Sequence, residues 1–241
     1  MEWQEIILLI LVGFGGGFVQ RVSGFGLGIF VMMFLPHFIP SHTAAATIST
    51  LFSCGTSVYN AVRYRKEVAF KTVLPMLAAA LVTIPVAVWF SSRITAGFFE
   101  LLLGIVLILL SLYFLFFNQR IHIKPSLPNG ILSGTLSGIM SGLFSTGGPP
   151  VVLYLTHAAP DNAVYFATIQ FYFAVTNVYG TVTRIINGFM TREVLILTAI
   201  GLVGCMAGNF IGGLIFRRLD TKKLKLIIYL CMIVSGVLML L

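Results

Sequence analysis

The chain has 241 residues, of which 58% are hydrophobic and only 9% are charged, and its mean hydropathy is +1.01. A soluble domain carries about 25% charged residues, so this composition excludes an ordinary soluble domain. The net charge of +8 comes mainly from basic residues between apolar segments, a distribution that is typical of membrane topology and disfavours a nucleic-acid-binding face.

Broken and continuous apolar segments follow one another in two similar halves. Each half begins with an apolar segment interrupted by glycines and polar residues. Three apolar stretches follow, and each approaches the roughly 20 residues that a membrane-spanning helix needs. The predicted N-terminal repeat, residues 1–118, has a hairpin at 6–35 and spans at about 43–60, 70–90 and 97–117. The predicted C-terminal repeat, residues 119–241, has a hairpin at 129–156 and spans at about 162–183, 194–216 and 223–241.

Short matching motifs support the duplication. Lys66-Glu67-Val68 corresponds to Arg192-Glu193-Val194, and each precedes an apolar span. Ala46-Thr47-Ile48 corresponds to Ala167-Thr168-Ile169 in the span after each broken segment. Interrupted hydrophobic segments in equivalent positions of two halves are a sequence signature of secondary transporters.

The loop charges indicate that residues 129–156 enter and leave the membrane on one side. With a hairpin there, eleven Lys and Arg residues face the cytoplasm, and Arg93, Arg184 and Arg192 lie in outside loops. With a single crossing, the division becomes eight to six. Because cytoplasmic loops are enriched in Lys and Arg, the hairpin is favoured. Symmetry extends this prediction to residues 6–35.

Two hairpins leave three full crossings in each half, and this odd number inverts the second half. The predicted fold is an all-α integral membrane protein with two inverted four-segment repeats, each a re-entrant helical hairpin plus three transmembrane helices. Each hairpin arm would contain about 14 residues and extend about 20 Å, past the middle of the bilayer. Both chain termini are predicted to lie outside.

The glycines of the broken segments fall into two groups. Glycines at three- to four-residue intervals favour close helix packing; they are Gly13–Gly17, Gly134, Gly138 and Gly142. The segments Gln20–Gly26 and Ser145–Pro150 are predicted to be hairpin tips, because glycine permits the reversal and proline suits the first turn of the returning helix.

These tips have features of an anion site. The helix after each tip directs its first N–H groups and the positive end of its dipole toward the middle of the membrane. Ser23, Ser145 and Thr146 can add hydroxyl donors. Arg21 is costly in an apolar segment, so it either pairs with an anionic group or caps carbonyls at the tip.

Polar residues in the span after each hairpin either line the same cavity or form hydrogen bonds between helices. Gln170 and Asn177 are seven residues apart and share one helix face. The predicted substrate-binding residues are Gln20, Arg21, Ser23, Gly24, Gly26, Thr47, Ser145, Thr146, Gly147, Gly148, Gln170 and Asn177.

Other chemistries have little support in the sequence. The glycine patches lack the Lys-Ser/Thr of a phosphate-binding loop, and the histidines have no metal-ligand spacing. Cys54, Cys205 and Cys231 lie in apolar segments without a CxxC motif. We therefore predict a protein that is not an enzyme and binds neither a metal nor a cofactor.

The paired glycine-rich segments, the Ala-Thr-Ile motif after each, and the basic loop from Arg63 to Lys71 resemble the sulfite exporter TauE/SafE family along essentially the whole chain. The resemblance implies a transporter of small sulfur-containing anions, usually in the bacterial inner membrane. The first tip departs from the more glycine- and proline-rich patch that the family often shows.

The resulting expectation is a secondary transporter of sulfite, organosulfonates or related sulfur-containing or carboxylate anions. It would work by alternating access around a midplane site between the two tips. An anion channel is the alternative, and an intramembrane enzyme is less favoured. The expected partners are a small anion and the lipid bilayer, while the sequence leaves a homodimer open and defines no coupling ion.

Overall fold

The computed structural model describes residues 3–39, 41–117, 123–215 and 221–241, which form helices joined by short connections, with no strand in these ranges. A 3-10 helix follows α2 and another follows α3, and a π-helical turn at Tyr113–Phe117 continues α5. The helices are α1 (Trp3–Ser23), α2 (Leu27–Phe34), α3 (His42–Arg63), α4 (Phe70–Ser91), α5 (Ala96–Leu112), α6 (Leu127–Phe144), α7 (Gly148–Ala158), α8 (Asn162–Ile186), α9 (Arg192–Ile215) and α10 (Thr221–Leu240).

The prediction of an all-helical membrane protein is confirmed. Among the described helices, those long and apolar enough to cross a membrane are Trp3–Ser23, Phe70–Ser91, Ala96–Phe116 and Arg192–Leu214. Helices α3 and α8 are as long, but they bury many polar side chains. Their polarity reflects their position in the interior, where most of these side chains find hydrogen-bond partners.

The first broken segment folds as a helical hairpin in which α2 returns along α1. The backbone of Gly16 packs against Leu27 and Val31, and Gly26 lies beside Val19. As residue numbers in α1 fall, those of the contacting residues in α2 rise, so the two helices are antiparallel.

The second broken segment forms the corresponding hairpin from α6 and α7. The Ser137 hydroxyl donates to the carbonyl of Gly147, and the Ser133 hydroxyl donates to the carbonyl of Pro150 at 2.7 Å. Nearer the start of α6, Gly130 lies against the ring of Tyr154. The serine hydroxyls therefore join the two arms close to the reversal.

The hairpin arms differ from their predicted lengths. They contain 21 and 8 residues in the first hairpin and 18 and 11 in the second, whereas the sequence predicted about 14 for each arm. The chain reverses at Gly24–Gly26 and Ser145–Gly147. Placing the start of the first tip at Gln20 was wrong, because α1 continues through Ser23 and first meets a left-handed residue at Gly24.

Backbone conformation explains where the helices end. Gly24 and Gly26 have φ angles of 81° and 94°, which glycine adopts without a steric penalty. Ser145 has a φ of 59°, a left-handed conformation that serine adopts rarely. Such a residue marks a position where the surrounding structure enforces the local geometry.

Two parallel helix pairs hold the hairpins in place. Along α1 and α9, a Cβ added to Gly17 would lie 2.0 Å from the carbonyl oxygen of Cys205, and one added to Gly208 would lie 2.0 Å from that of Phe14. Helices α6 and α4 make the equivalent pair. The packing interpretation of the spaced glycines is confirmed for those that contact the parallel partner helix, namely Gly13, Gly17, Gly134, Gly138 and Gly142, while Gly15 and Gly16 pack against α2.

Helices α3 and α8 pack against each other in the interior and run antiparallel. Gly180 contacts Thr50, and the Asn60 side-chain amide donates to Gln170 at 3.4 Å. Both helices also contact the parallel pairs, since α3 packs on α9 and α8 packs on α4. The two halves therefore associate through equivalent elements.

Several predicted features fall outside the described residues. They are the repeat boundary at 118/119, the end of the 194–216 span, and the basic residues Arg120, Arg217 and Arg218. The side chains of Lys222, Lys223 and Lys225 are likewise not described.

Candidate functional site

The two hairpin reversals meet in the interior of the protein. A Cβ added to Gly28, in the first turn of α2, would lie 1.8 Å from the carbonyl oxygen of Ser145. One added to Gly148, at the start of α7, would lie 3.2 Å from the ring of Phe25. The two chain reversals, which are far apart in sequence, therefore form one site.

A small cavity of about 30 Å³ lies between these reversals. At about 10–15 Å³ per water molecule, it holds about two waters. Seven of its lining residues were predicted: Gln20, Gly26, Ser145, Thr146, Gly147, Gly148 and Asn177. The sequence prediction missed seven others: Phe25, Leu27, Gly28, Ile29, Ser53, Ser141 and Phe173.

Helix starts supply donors to this cavity, but unequally. The N–H groups of Leu27, Gly28 and Ile29 open α2 and have no carbonyl partner within that helix. Helix α7 begins with Gly148, but Pro149 and Pro150 follow and carry no N–H group. The two helix starts were predicted to be equivalent, but α2 offers more backbone donors than α7.

Unpartnered hydroxyl groups mark the cavity as a polar site. Thr146 is 1% exposed, and its Oγ1 has no hydrogen-bond partner. The Ser49 hydroxyl is also buried without a partner and lies near Gly28. Because nearly all buried polar groups in folded proteins are hydrogen-bonded, these hydroxyls are available to a ligand. Ser49 and Ser53 are four residues apart, which is the sequence signal that could have identified this face of α3.

A glutamine pair connects the first reversal to the interior helices. Gln20 donates to the Gln170 side chain at 3.3 Å and accepts from the Thr56 hydroxyl at 2.9 Å. Gln170 also donates to the carbonyl of Gly24 at 2.7 Å. Gln170 and Gly24 therefore act through hydrogen bonds between helices and do not line the cavity, whereas Asn177 does.

Three predicted residues lie away from the cavity. The Arg21 guanidinium donates to Asn60 at 3.3 Å and to the Tyr64 hydroxyl at 3.1 Å. The Ser23 hydroxyl lies within hydrogen-bond distance of the carbonyls of Val19 and Phe25, and Thr47 donates to the carbonyl of Thr43, so both hydroxyls are engaged by nearby backbone.

Arg21 changes the chemistry of the tyrosine that it contacts. Burial alone raises the pKa of Tyr64, but the hydrogen bond from Arg21 and the charges of Arg21 and Arg63 together lower that pKa below its usual value. The Arg21 guanidinium also lies 5.6 Å from the ring centre of Phe166. These contacts fix Arg21 at the end of α3, beside the surface.

Arg184 was predicted to be a loop residue, and the structure corrects this prediction. It belongs to the last turn of α8 and is only 1% exposed. Its Nη2 donates to the carbonyl of Gly142 at 2.8 Å and to that of Ser141 at 3.3 Å. Charge counting could not detect this burial, because it depends on the packing of α8 against α6.

A wider pocket of about 390 Å³ lies on the side of the cavity where α8 begins. Its rim includes the exposed residues Asp161 and Asn162, and Ser23 contributes to its wall. Phe25 lines both this pocket and the small cavity. Its buried ring, 5.5 Å from that of Phe114, therefore separates the cavity from a pocket that reaches the surface.

Comparison with known proteins now identifies the family. The family model described as sulfite exporter TauE/SafE matches residues 9–239. The chain belongs to the TauE/SafE family. No curated protein and no solved structure matches it significantly.

TauE/SafE membership establishes the general activity. The family comprises membrane transporters of the sulfite-exporter type, so this TauE/SafE member is a multi-pass membrane transport protein. The matched region includes both reversals and the cavity between them. Within the described residues, no cluster of His, Cys, Asp or Glu could hold a metal ion.

Proposed function

We propose that this protein carries a small oxyanion, such as sulfite, an organosulfonate or a related carboxylate, by alternating access around the cavity between the two hairpin reversals. The observation that carries the proposal is the unpartnered Thr146 hydroxyl, buried beside the start of α2. Among the residues that the structure describes, no acidic side chain lines the cavity. Hydroxyl, amide and backbone N–H donors with no nearby carboxylate favour an anion over a cation.

The binding residues in this proposal come from both hairpins. Ser145, Thr146 and the N–H groups of Gly147 and Gly148 would hold oxygens from one side. Gln20, Gly26 and the first turn of α2 would hold them from the other, with Asn177 completing the wall. Arg21 would attract anions at the end of α3.

The proposed membrane arrangement is inverted and re-entrant. Parallel packing of α1 with α9 and of α6 with α4, together with the antiparallel α3 and α8, supports opposite orientations of the two halves. The hairpins would enter from opposite sides of a bacterial inner membrane, with both termini outside. Because the cavity holds only about two waters, binding would require the reversals to move apart, and alternate movement would open the site to each side.

An oxyanion-binding experiment tests the proposal. Purified protein is titrated with sulfite, methanesulfonate, sulfate and acetate, and selective binding should raise the melting temperature by mass action. Replacing Thr146 by valine should weaken binding of the selected anion about tenfold or more, since a hydrogen bond to a charged group contributes about 1.5–3 kcal/mol. Thr146→Ser keeps the hydroxyl and should bind like the parent.

Two further results would decide against the proposal. Absence of binding by any of these anions would overturn the substrate class, and equal binding by Thr146→Val would overturn the site. Counterflow separates a carrier from the alternative of an anion channel. Proteoliposomes are loaded with unlabelled anion and diluted into labelled anion, and only a carrier would transiently concentrate the labelled anion inside.

A further inference from the structure

Arg184 has donors that the protein does not use. Its Nη2 is occupied by the carbonyls of Ser141 and Gly142 in the last turns of α6. Its Nε and Nη1 are buried and have no hydrogen-bond partner in the described part of the chain. An arginine at this degree of burial normally engages all its donors, because each unsatisfied donor carries the full cost of its desolvation.

The charge of Arg184 is also uncompensated. Among the described residues, no acidic side chain forms an ion pair with it. The negative end of the α6 dipole offsets part of the charge, which explains the bonds to the α6 carbonyls. That contact leaves a net positive charge in the interior, where an isolated charge is costly unless it is paired.

This charge lies next to the cavity. Ser141, whose carbonyl accepts from Arg184, also lines the cavity, and Ser145 and Thr146 follow directly after α6 ends. Neither Arg184 nor Arg21 lines the cavity itself. Arg184, however, bonds to the cavity-lining residue Ser141, whereas Arg21 donates to Asn60 and Tyr64. Because α3 and α8 are antiparallel, the two arginines lie at opposite ends of the molecule.

We infer that Arg184 is the charge partner of the oxyanion, binding it through Nε and Nη1 beside Ser145 and Thr146. This inference rests on the proposed function and replaces Arg21 by Arg184 as the residue that neutralises the substrate. The substrate class it selects is a group with several charged oxygens, such as sulfite or a sulfonate, because a guanidinium donates to two oxygens at once.

The repeat supplies a matched control. Arg184 stands sixteen residues after Thr168, and Arg63 stands sixteen residues after Thr47 in the corresponding helix. Arg63 is exposed and bonds to the Tyr59 hydroxyl. The two arginines thus share a position in the repeat, but only Arg184 is buried beside the cavity.

The test measures sulfite and methanesulfonate dissociation constants and the melting temperature of the anion-free protein. We expect Arg184→Gln to weaken both anions about tenfold to a hundredfold while the anion-free melting temperature stays the same or rises, since an unpaired buried charge has been removed. Arg63→Gln should bind both anions like the parent. If Arg184→Gln lowers the anion-free melting temperature and leaves both constants unchanged, Arg184 only caps α6 and the inference is overturned.

Arg184→Lys decides the matter if Arg184→Gln does not fold. Lysine keeps the charge but has no planar pair of donors, so sulfite binding should weaken about severalfold, and an unchanged dissociation constant would overturn the inference. Failure of the parent protein to bind any oxyanion would instead overturn the proposed function, so the two failures are distinguishable.

Discussion

Replacing Gly28 by alanine is expected to abolish transport and lower the melting temperature sharply. The added Cβ would lie 1.8 Å from the carbonyl oxygen of Ser145, so backbone would meet backbone and neither could yield by a rotamer change. Overpacking a filled core costs about 1–3 kcal/mol, and a clash of this kind belongs at the upper end. The substitution would also force apart the two reversals that form the cavity.

Gly97→Ala is the control for this prediction. Gly97 also lies near the start of a helix, but a Cβ added there meets nothing within 4 Å. This variant should melt at or slightly above the parental temperature, because alanine has the higher helix propensity. Thermal unfolding in detergent and sulfite counterflow measure both effects. Parental stability and transport in Gly28→Ala would show that the two reversals are not in contact.

Replacing Phe25 by alanine is expected to open the cavity toward the α8 start. The Phe25 ring lines both the small cavity and the 390 Å³ pocket, and it contacts Phe114 and Gly148. Removing the ring joins the two spaces and admits anions and water. Transport should become less selective, since the cavity would no longer be closed toward the pocket at the start of α8.

Cysteine accessibility measures this opening. The experiment uses Ser145→Cys in a background that lacks the native Cys54 and Cys231. With Phe25→Ala, this cysteine should react with a negatively charged thiol reagent at least about tenfold faster, which corresponds to a free energy of opening lower by about 1.4 kcal/mol. Phe30→Ala is the control, because Phe30 belongs to α2 and packs on Gly15 of α1 without lining the cavity. Equal reaction rates in the Phe25 variant and the parent would show that this ring does not close the cavity.

Part of the site was predictable because local conformation marks it. Gly24 and Gly26 adopt the positive φ angles that glycine permits, and the prolines at 149 and 150 occupy the first turn of α7. The glycines at 13 and 17 lie where α9 approaches most closely. In each case the residue type meets a steric requirement at its own position, so the sequence carries the signal.

The chemistry at longer range was not predictable in the same way. Arg21 was predicted to lie within an apolar segment and Arg184 in an outside loop, yet Arg21 bonds to Tyr64 near the surface and Arg184 is buried against Gly142. Gln170 and Asn177 share one helix face, but only Asn177 lines the cavity. The direction of a long side chain depends on which neighbour offers a partner, and spacing along one helix does not contain that information.

The sequence by itself determined that this protein is helical, resides in a membrane and reverses its chain at two glycine-rich points. Hydrophobicity and backbone sterics act locally, so composition and residue type suffice for these properties. Only the tertiary structure decided that the two reversals touch, that the Thr146 hydroxyl has no hydrogen-bond partner and that Arg184 is buried beside them. These features arise where helices distant in sequence pack together, because packing determines which polar groups are satisfied and which remain available to a ligand.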